Sequence, residues 1–332
     1  MASVSNALKR VFRIQYVSDL HLEFYDKIPQ FSSFVKPIAP YLALAGDVGK
    51  PGHPQYKQFF DHISPLWEHI FYVAGNHEYY DTNRAKWKYK APTTFLERHT
   101  EIQDFVANYP NVHFLDHDNP SFFLPKENMA IVGSTLWTHI PEDMRAQAFH
   151  GMNDYNFIAY KYDDDAILPI NPAILSDIHE KEKRMLEKQI HYWATQNVDV
   201  TVVTHHMPSF SLISPKYESD PLNICFASNC EKLMLPNVKA WFYGHTHNAC
   251  SGMFDNTFVA CNSRGYPNET VPGFDTMRYF EYQRKLNEDG GLDPELAAAA
   301  FGIKSPQIHS ANRTQPKWPL KQPEDDDDIV WQ

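Results

Sequence analysis

Five apolar runs along the chain are each followed, after one intervening residue, by a residue that can bind a metal ion. The runs read FRIQYV, YLALA, IFYVA, VTVV and AWFY, and the stretches that close them read SDLH, AGD, AGNHE, VVTHH and YGHTH. Short apolar runs ended in this way predict buried β-strands with polar groups at their carboxyl ends. A lone Gly-Asp pair or a lone histidine is ordinarily a turn or a hydrogen-bonded core residue. Five repetitions in one chain favour a shared site instead.

The closing stretches supply the donor types that hard and borderline divalent cations prefer, namely carboxylate, amide oxygen and imidazole. The donors are Asp19, His21, Asp47, Asn76, His205, His245 and His247. Two cations about 3.5–4 Å apart can bind an attacking oxygen and a phosphoryl oxygen together. Such close cations repel each other, so a carboxylate must bridge them, and Asp47 stands alone in its stretch. In DLH and HTH the two donors are two residues apart, so extended backbone would turn both to one side.

The order of these stretches resembles the signature of the calcineurin-like metallophosphoesterase superfamily, over roughly residues 12 to 285. The resemblance implies a centre of two divalent metal ions, with manganese, iron and zinc all compatible with the donors. One ion would be held by Asp19, His21, Asp47 and His247. The other would be held by Asp47, Asn76, His205 and His245.

His77, directly after Asn76, matches the general acid of that superfamily. The resemblance therefore implies hydrolysis of a phosphomonoester or phosphodiester by in-line attack of a hydroxide that bridges the metals, with His77 protonating the leaving oxygen. Two alternatives stay open. One is a nuclease or an RNA-debranching phosphodiesterase, although debranching enzymes usually lack the residue that is Asp19 here. The other is an inert protein-binding scaffold, which usually has damaged ligands.

Further stretches, GSTLWT, MNDY and CNSRGY, resemble a bacterial, phage and protist branch of these enzymes that names no substrate. Loops on a rigid scaffold commonly determine specificity. Arg264 is a predicted substrate contact because a guanidinium matches two phosphate oxygens, and His206, beside the ligand His205, would contact a ligand or the substrate. The further predicted pocket residues are Trp137, His139, Asn153, Asp154 and Tyr155.

The predicted fold class is α/β. Apolar spacing predicts helices over residues 54–67 and 177–197, the second with Ser176 as its N-cap. Two late strands, TFVACN and RYFEYQ, are expected to complete a second sheet. The resemblance implies a four-layer α-β-β-α sandwich, in which two mixed β-sheets are flanked by helices and the two-metal site lies at the carboxyl ends of the strands.

The chain divides into a predicted catalytic domain and a tail. Residues 1–285 form the domain, with specificity loops or an insert over about 80–176, because donors from Asp19 to His247 must converge. Residues 286–332 change in composition, with scattered prolines and the acidic run EDDDD, which predicts a flexible acidic tail.

A net charge of −11 disfavours nucleic acid as the partner and leaves a small phosphorylated substrate as the expectation. One basic cluster, RAKWKYK at residues 84–90, is either a solvated surface or a recruiting segment for an anionic substrate. No run reaches the roughly 20 apolar residues of a membrane span, and no secretory signal is recognised. We therefore expect a cytoplasmic protein whose four scattered cysteines are free thiols; oligomeric state is not predicted.

Overall fold

Two large β-sheets organise the computed structural model, which describes residues 10–82, 86–87, 90–162 and 166–284. The predicted tail over 286–332, most of the basic cluster at 84–90 and the three aspartates at 163–165 lie outside the described residues. The strands are, in chain order, β1 Arg10–Val17, β2 Tyr41–Ala45, β3 His69–Val73, β4 Val112–Phe114, β5 Ser121–Leu124, β6 Met129–Ser134, β7 Ala159–Lys161, β8 Ile167–Pro169, β9 Asp199–Thr204, β10 Val238–Tyr243, β11 Cys250–Phe254, β12 Thr257–Cys261 and β13 Tyr279–Arg284. The helices are α1 Pro54–Ile63, α2 Phe95–Val106, α3 Arg145–Gly151, α4 Asp154–Phe157 and α5 Pro172–Thr195.

Both sheets are mixed, and all five predicted apolar runs are strands within them. The first sheet has the order β13-β1-β2-β3-β4, and the second has the order β11-β12-β10-β9-β6-β5. Strands β1 to β4 run parallel to one another, as do β6, β9, β10 and β12, while antiparallel strands β13, β11 and β5 close three edges. The sites that follow β1, β2, β3, β9 and β10 are therefore all carboxyl ends of parallel strands.

Alternating side chains in the strands build three apolar layers, which makes the four-layer sandwich. In β2, Leu42 packs into the layer shared with α1, whereas Ala43 faces the other sheet. In β10, Phe242 faces the first sheet and stacks on Tyr16 with ring centroids 4.3 Å apart, whereas Trp241 packs into the layer under α5. Period-two alternation with apolar residues on both faces is what a sheet covered on both sides requires.

The first predicted helix is confirmed, while the start of the second was predicted wrongly. Helix α1 buries Tyr56, Phe59, Phe60 and Ile63, and a short 3₁₀ turn continues it to Leu66.

Helix α5 begins at Pro172, not at 177, because Asn171 is the N-cap and accepts a hydrogen bond from the Ile174 amide at 3.0 Å. Ser176 therefore lies one turn inside the helix, where its hydroxyl donates to the Pro172 carbonyl at 2.7 Å. It also accepts from the Ile140 amide at 2.9 Å. Proline fits the first helical turn, so the Asn-Pro pair is the stronger start signal.

The two late strands do not share a sheet, contrary to the sequence-based expectation. Strand β12 lies in the second sheet, but β13 pairs antiparallel with β1 in the first. This placement covers the free edge of β1 and buries Phe280 between the sheets, stacked on Phe258 with ring centroids 5.3 Å apart. The stretch 80–176 holds scaffold as well as loops, since it supplies β4 to the first sheet and β5 and β6 to the second.

The expectations for membrane spans and for the cysteines can both be compared with the structure. None of the helices in the described ranges combines the length and apolarity needed to span a membrane. The cysteines carry free thiols at Cys225, Cys230, Cys250 and Cys261. Burial raises the pKa of each thiol, which keeps these side chains in the weakly reactive protonated form.

Candidate metal centre

The five closing stretches meet at one edge of the sandwich. Backbone hydrogen bonds join them directly: the amide of Asp19 donates to the carbonyl of Gly46 at 3.0 Å, and the amide of His21 donates to that of Asp47 at 3.0 Å. In the second sheet, the amide of Gly244 donates to the carbonyl of His205 at 2.9 Å. Between the two sheets, the amide of His245 donates to the Asp19 carboxylate at 2.9 Å. Residues separated by more than 200 positions in sequence therefore form one site.

One part of the site, here called the outer group, consists of Asp19, His21 and His247. Their ligand atoms all lie within 4.8 Å of one another. The Nε2 atoms of His21 and His247 are 3.0 Å apart, and His247 Nε2 lies 3.6 Å from Asp19 Oδ1. Two imidazole nitrogens that face each other beside a carboxylate present converging lone pairs, the arrangement that a cation stabilises.

The second part, the inner group, consists of Asp47, Asn76, His205 and His245. His205 Nε2 lies 3.0 Å from Asn76 Oδ1 and 3.5 Å from Asp47 Oδ1. The other carboxylate oxygen, Asp47 Oδ2, lies 3.8 Å from His21 Nε2 in the outer group. Asp47 thus turns one oxygen towards each group, which is the geometry that a bridging carboxylate needs.

The protonation states of the donors fit a pair of divalent cations. Burial lowers the pKa of His205 to about 4 and lowers that of His21 and of His245 as well, so these imidazoles are neutral at pH 7 and can bind metal. Burial, and then the charges of Glu78 and Asp19, raise the pKa of Asp47. A cation would offset that repulsion. The buried Nε2 of His245 has no hydrogen-bond partner among the described residues, and His245 forms a group with Asp47 and His205 whose ligand atoms lie within 4.8 Å of one another.

The backbone of the ligand residues is not extended, so the geometric expectation for DLH and HTH was wrong. Five predicted ligands have a positive φ, between 45° and 67°; they are Asp19, His21, Asp47, His245 and His247. Left-handed backbone at residues other than glycine costs about 1–3 kcal/mol at each position and is concentrated at functional sites. The chain therefore turns sharply after β1, β2 and β10, and these turns, rather than strand periodicity, bring their donors together.

Glycines in two of the stretches are required because other groups approach them closely. A Cβ on Gly244 would lie 2.7 Å from the Ala45 carbonyl oxygen and 2.9 Å from Asp19 Oδ2. A Cβ on Gly75 would lie 2.6 Å from the Asp47 amide nitrogen. These distances are shorter than side-chain contacts allow, so the glycines of AGNHE and YGHTH keep the strand ends within ligand distance of each other.

The outer group is oriented mainly by carboxylates and hydroxyls. Glu269 Oε2 lies 2.6 Å from His247 Nδ1, and Glu23 Oε1 lies 3.4 Å from His21 Nδ1. Asp19 Oδ2 accepts hydrogen bonds from Ser18 at 2.5 Å and from Ser263 at 2.6 Å. Sequence reasoning missed Glu23, Glu269 and Ser263; the available signals were the position of Glu23 two residues after His21 and that of Ser263 inside CNSRGY.

The inner group is oriented by backbone and by one buried acid. His205 Nδ1 lies 2.9 Å from the Ala45 carbonyl oxygen. Asn76 Nδ2 donates to Asp154 Oδ1 at 2.8 Å, and the Tyr80 hydroxyl donates to the same oxygen at 2.6 Å. Because its amide nitrogen is occupied in this way, Asn76 turns Oδ1 towards His205. Asp154, predicted as a pocket residue, thus fixes the orientation of a ligand.

Glu78 completes the scaffold below both groups. Its buried carboxylate accepts hydrogen bonds from the backbone amides of Asp47 at 3.0 Å, Val48 at 2.7 Å and Gly75 at 2.8 Å. The acid of AGNHE therefore ties the second stretch to the third. It is a structural residue that shapes the turn carrying Asp47.

His77 lies beside both groups with one ring nitrogen already occupied. Its Nδ1 is 2.9 Å from Glu23 Oε1, and its backbone amide donates to Asp47 Oδ1 at 2.9 Å. Burial would raise the pKa of Glu23, but the hydrogen bonds from His21 and His77 outweigh it and lower that pKa to about 2. The ionised Glu23 therefore fixes the His77 ring, and His77 Nε2 is the nitrogen left for chemistry, 3.4 Å from the Tyr266 hydroxyl oxygen.

Three of the predicted substrate contacts lie behind the ligands or to one side of them. His206 is buried, with Nδ1 3.3 Å from the Thr135 carbonyl oxygen and its ring centroid 4.3 Å from that of His245. Trp137 is buried against His206, with ring centroids 5.3 Å apart, and Tyr155 is buried against Phe149. His206 therefore packs against His245, and Trp137 packs against His206.

Three further predicted substrate contacts, Arg264, Asn153 and His139, lie in other parts of the structure. The Arg264 guanidinium lies over the Phe274 ring at 5.9 Å and donates to the Glu269 carbonyl at 3.5 Å. Asn153 is exposed at the start of α4, and His139 pairs with Glu180 at 3.3 Å on the surface. A role for these residues in substrate binding stays a prediction.

The fold and the donor set are those of the metallophosphoesterase class. The sequence model of the calcineurin-like phosphoesterase family matches residues 12–249, and the chain belongs to that family.

Three similar proteins match this chain over most of their length. An uncharacterized protein of Acanthamoeba polyphaga mimivirus is 30% identical over 288 residues, which cover 82% of this chain and 98% of that protein. Phosphopantetheinyl hydrolase from Mycobacterium tuberculosis superposes with a TM-score of 0.57 at 18% identity, covering 78% of this chain and 91% of that one. A dimetal phosphatase from Danio rerio gives a TM-score of 0.41 at 13% identity, covering 75% and 86%.

Proposed function

We propose that the protein hydrolyses a phosphomonoester or phosphodiester of a small molecule with two divalent metal ions as cofactors. The observation that carries the proposal is Asp47, whose Oδ1 lies 3.5 Å from His205 Nε2 and whose Oδ2 lies 3.8 Å from His21 Nε2. A carboxylate between two clusters of imidazoles is suited to joining two cations. Manganese, iron and zinc each match this mixed oxygen and nitrogen donor set.

Each ligand group would hold one ion, with Asp47 shared. The outer group and Asp47 would hold the first, and the inner group the second. When bound, two such cations lower the pKa of water towards neutrality and stabilise charge on the phosphoryl oxygens. The chain's own contribution is to keep His21, His205 and His245 neutral through burial. It also fixes the imidazole rings through Glu23, Glu269 and the Ala45 carbonyl.

His77 would act as the general acid in this reaction. Its Nδ1 is held by Glu23, so protonated His77 has a single N–H, on Nε2, available to the leaving oxygen. When His77 donates a proton as the phosphorus–oxygen bond breaks, the leaving group departs as a neutral alcohol. The activated water would attack the phosphorus from the opposite side in an in-line displacement. Since no side chain forms a bond to phosphorus in this scheme, a covalent phosphoenzyme is not expected.

The proposal is tested with a substrate panel. The panel contains bis(p-nitrophenyl) phosphate, p-nitrophenyl phosphate, a cyclic nucleotide and single-stranded RNA, each assayed with manganese and with chelator. We expect at least one member to be hydrolysed in a metal-dependent manner. Absence of metal-dependent hydrolysis across the panel, with two metal ions bound, would overturn the proposal in favour of a binding scaffold. Hydrolysis of RNA alone would favour the nuclease alternative.

A further inference from the structure

Two large aromatic side chains stand exposed at the mouth of the candidate metal centre. Phe24 is 52% exposed and Tyr266 is 40% exposed. Their ring centroids are 5.5 Å apart and the rings meet at 77°, so they form the two sides of a corner. Phe24 comes from the turn after the first ligand stretch and Tyr266 from CNSRGY, so two distant parts of the chain build this corner.

The corner opens next to His77. The Phe24 and Tyr266 centroids lie 5.9 and 6.0 Å from that of His77, and the Tyr266 hydroxyl oxygen lies 3.4 Å from His77 Nε2. The ring of Tyr266 also covers the outer group, 4.3 Å from the His21 centroid and 4.7 Å from that of His247. One nitrogen of His77 is taken by Glu23, so the nitrogen that serves the leaving oxygen is the one beside this corner.

We propose that Phe24 and Tyr266 form a binding surface for a flat aromatic ring carried by the leaving group of the substrate. The inference rests on the proposed function, because the position of His77 defines which side the leaving group takes. An oxygen that accepts a proton from His77 Nε2 carries its substituent out along these two rings. A flat ring can stack on one ring while its edge meets the face of the other, which are the two favoured aromatic geometries.

The charges around the corner favour a neutral ring over a second anionic group. Glu23 lies behind His77, and Glu269 holds His247 while also accepting from the Tyr266 amide at 3.1 Å. These carboxylates would repel a further phosphate or carboxylate on the leaving group. The shared chemistry is a planar aromatic ring, which either a nucleoside or an aryl-substituted alcohol supplies.

The test measures binding with phosphonate analogues, in which a CH₂ replaces the ester oxygen and no hydrolysis can occur. Dissociation constants are measured by calorimetry on the manganese-loaded full chain. One pair compares the phosphonate analogues of adenosine 5′-phosphate and ribose 5-phosphate, and a second pair compares the phosphonate analogues of benzyl phosphate and cyclohexylmethyl phosphate. We expect the aromatic member of at least one pair to bind about tenfold more tightly, since stacking of a base on an aromatic side chain contributes roughly 1–3 kcal/mol.

Variants assign that preference to the corner. Phe24→Leu and Tyr266→Leu keep apolar bulk and should reduce the preference to less than threefold, whereas Tyr266→Phe should retain it. Tyr192→Ala, on α5 and also 52% exposed, is the matched control and should leave it unchanged. Preference in the adenosine pair assigns a nucleoside, and preference in the benzyl pair alone assigns an aryl alcohol.

Two results would overturn the inference. One is equal binding within both pairs by the unmodified protein, and the other is a preference that survives in both leucine variants. Both are separate from failure of the proposed function, which would appear as a lack of metal-dependent hydrolysis in the substrate panel while these binding differences persisted.

Discussion

The inner and outer ligand groups are built from similar donors but are held by different parts of the molecule. His205 in the inner group is fixed by a backbone carbonyl of β2, and Asn76 is fixed by the buried Asp154. His247 in the outer group is fixed by Glu269, whose side chain is 35% exposed, and His21 by Glu23. The inner group is therefore part of the sandwich itself. The outer group depends on side chains of surface loops, which also carry Phe24 and Tyr266.

Because of this difference, changes in the surface loops should affect the two groups unequally. Backbone support cannot be removed by changing one side chain, so His205 is insulated from variation in the loops. The outer group shares Glu269 with the Tyr266 backbone and Glu23 with His77. Changes in the substrate-facing loops are therefore transmitted to the outer ligands first.

The largest effect is expected where the two groups meet. Asp47→Asn removes the charge that would join them, so both groups should lose metal and hydrolysis should fall below detection. Metal content by plasma mass spectrometry, together with the phosphodiester assay, measures this. The control is Asp61→Asn, an acid exposed on α1. Two metal ions retained per chain in Asp47→Asn would show that Asp47 does not join the groups.

A large effect without metal loss is expected at His77. His77→Asn should lower kcat by about 10²–10⁴-fold, the usual contribution of a general acid, while metal content stays as in the unmodified protein. Glu23→Gln should lower kcat less, and the part of its effect that acts through the His77 ring should vanish in the His77→Asn background, while the part that acts through His21 should persist. Independent, multiplicative losses in the double variant would contradict this coupling. Substrates with better leaving groups should suffer smaller losses in both variants.

A moderate effect should separate the two groups directly. Asp154→Ala should weaken the inner ion and Glu269→Ala the outer one, each by about 10–100-fold in metal affinity, as is typical when the partner of a ligand is removed. Chelator titration followed by metal analysis should show one ion lost early in each variant. Only Glu269→Ala should also alter binding of the aromatic phosphonates. Equal effects of both variants on that binding would remove the distinction drawn between the groups.

The smallest effect concerns the backbone that supports the inner group. Glu182 on α5 accepts from the Trp137 amide at 3.0 Å, next to Thr135, whose carbonyl accepts from the amides of His205 and His206. Burial raises the pKa of Glu182 from 4.5 to about 8. The folded state then binds the proton more tightly than the unfolded state, so this contribution to stability is complete below pH 4.5 and is lost as pH rises through 8.

Glu182→Gln removes that titration. Between pH 5 and 8, the free energy of unfolding of the unmodified protein should therefore fall relative to that of the variant, by at most about 1.4 kcal/mol per pH unit. Urea unfolding at several pH values measures the difference. A constant difference across this range would show that Glu182 is ionised in the folded protein. Metal affinity at pH 7 should change less than in Asp154→Ala.

Much of this architecture could be predicted because strand burial and strand-end chemistry are local. The runs YLALA and AWFY are strands because both of their faces are buried, and the seven donors lie in the short turns that follow strand ends. The start of α5 was misplaced because the Asn-Pro signal at Asn171 was weighed less than the apolar stripe. The sheet of β13 was misassigned because pairing with β1, across almost the whole chain, leaves no local pattern.

The sequence by itself determined the donors, the strands that carry them and the family, since each depends on residue types at short spacing. Only the tertiary structure decided that the donors reach one another through left-handed turns at Asp19 and Asp47, that Glu23 and Glu269 hold the imidazoles, and that Phe24 meets Tyr266. These contacts join residues far apart in the chain. Their geometry follows from how two sheets pack, and no spacing along the sequence records it.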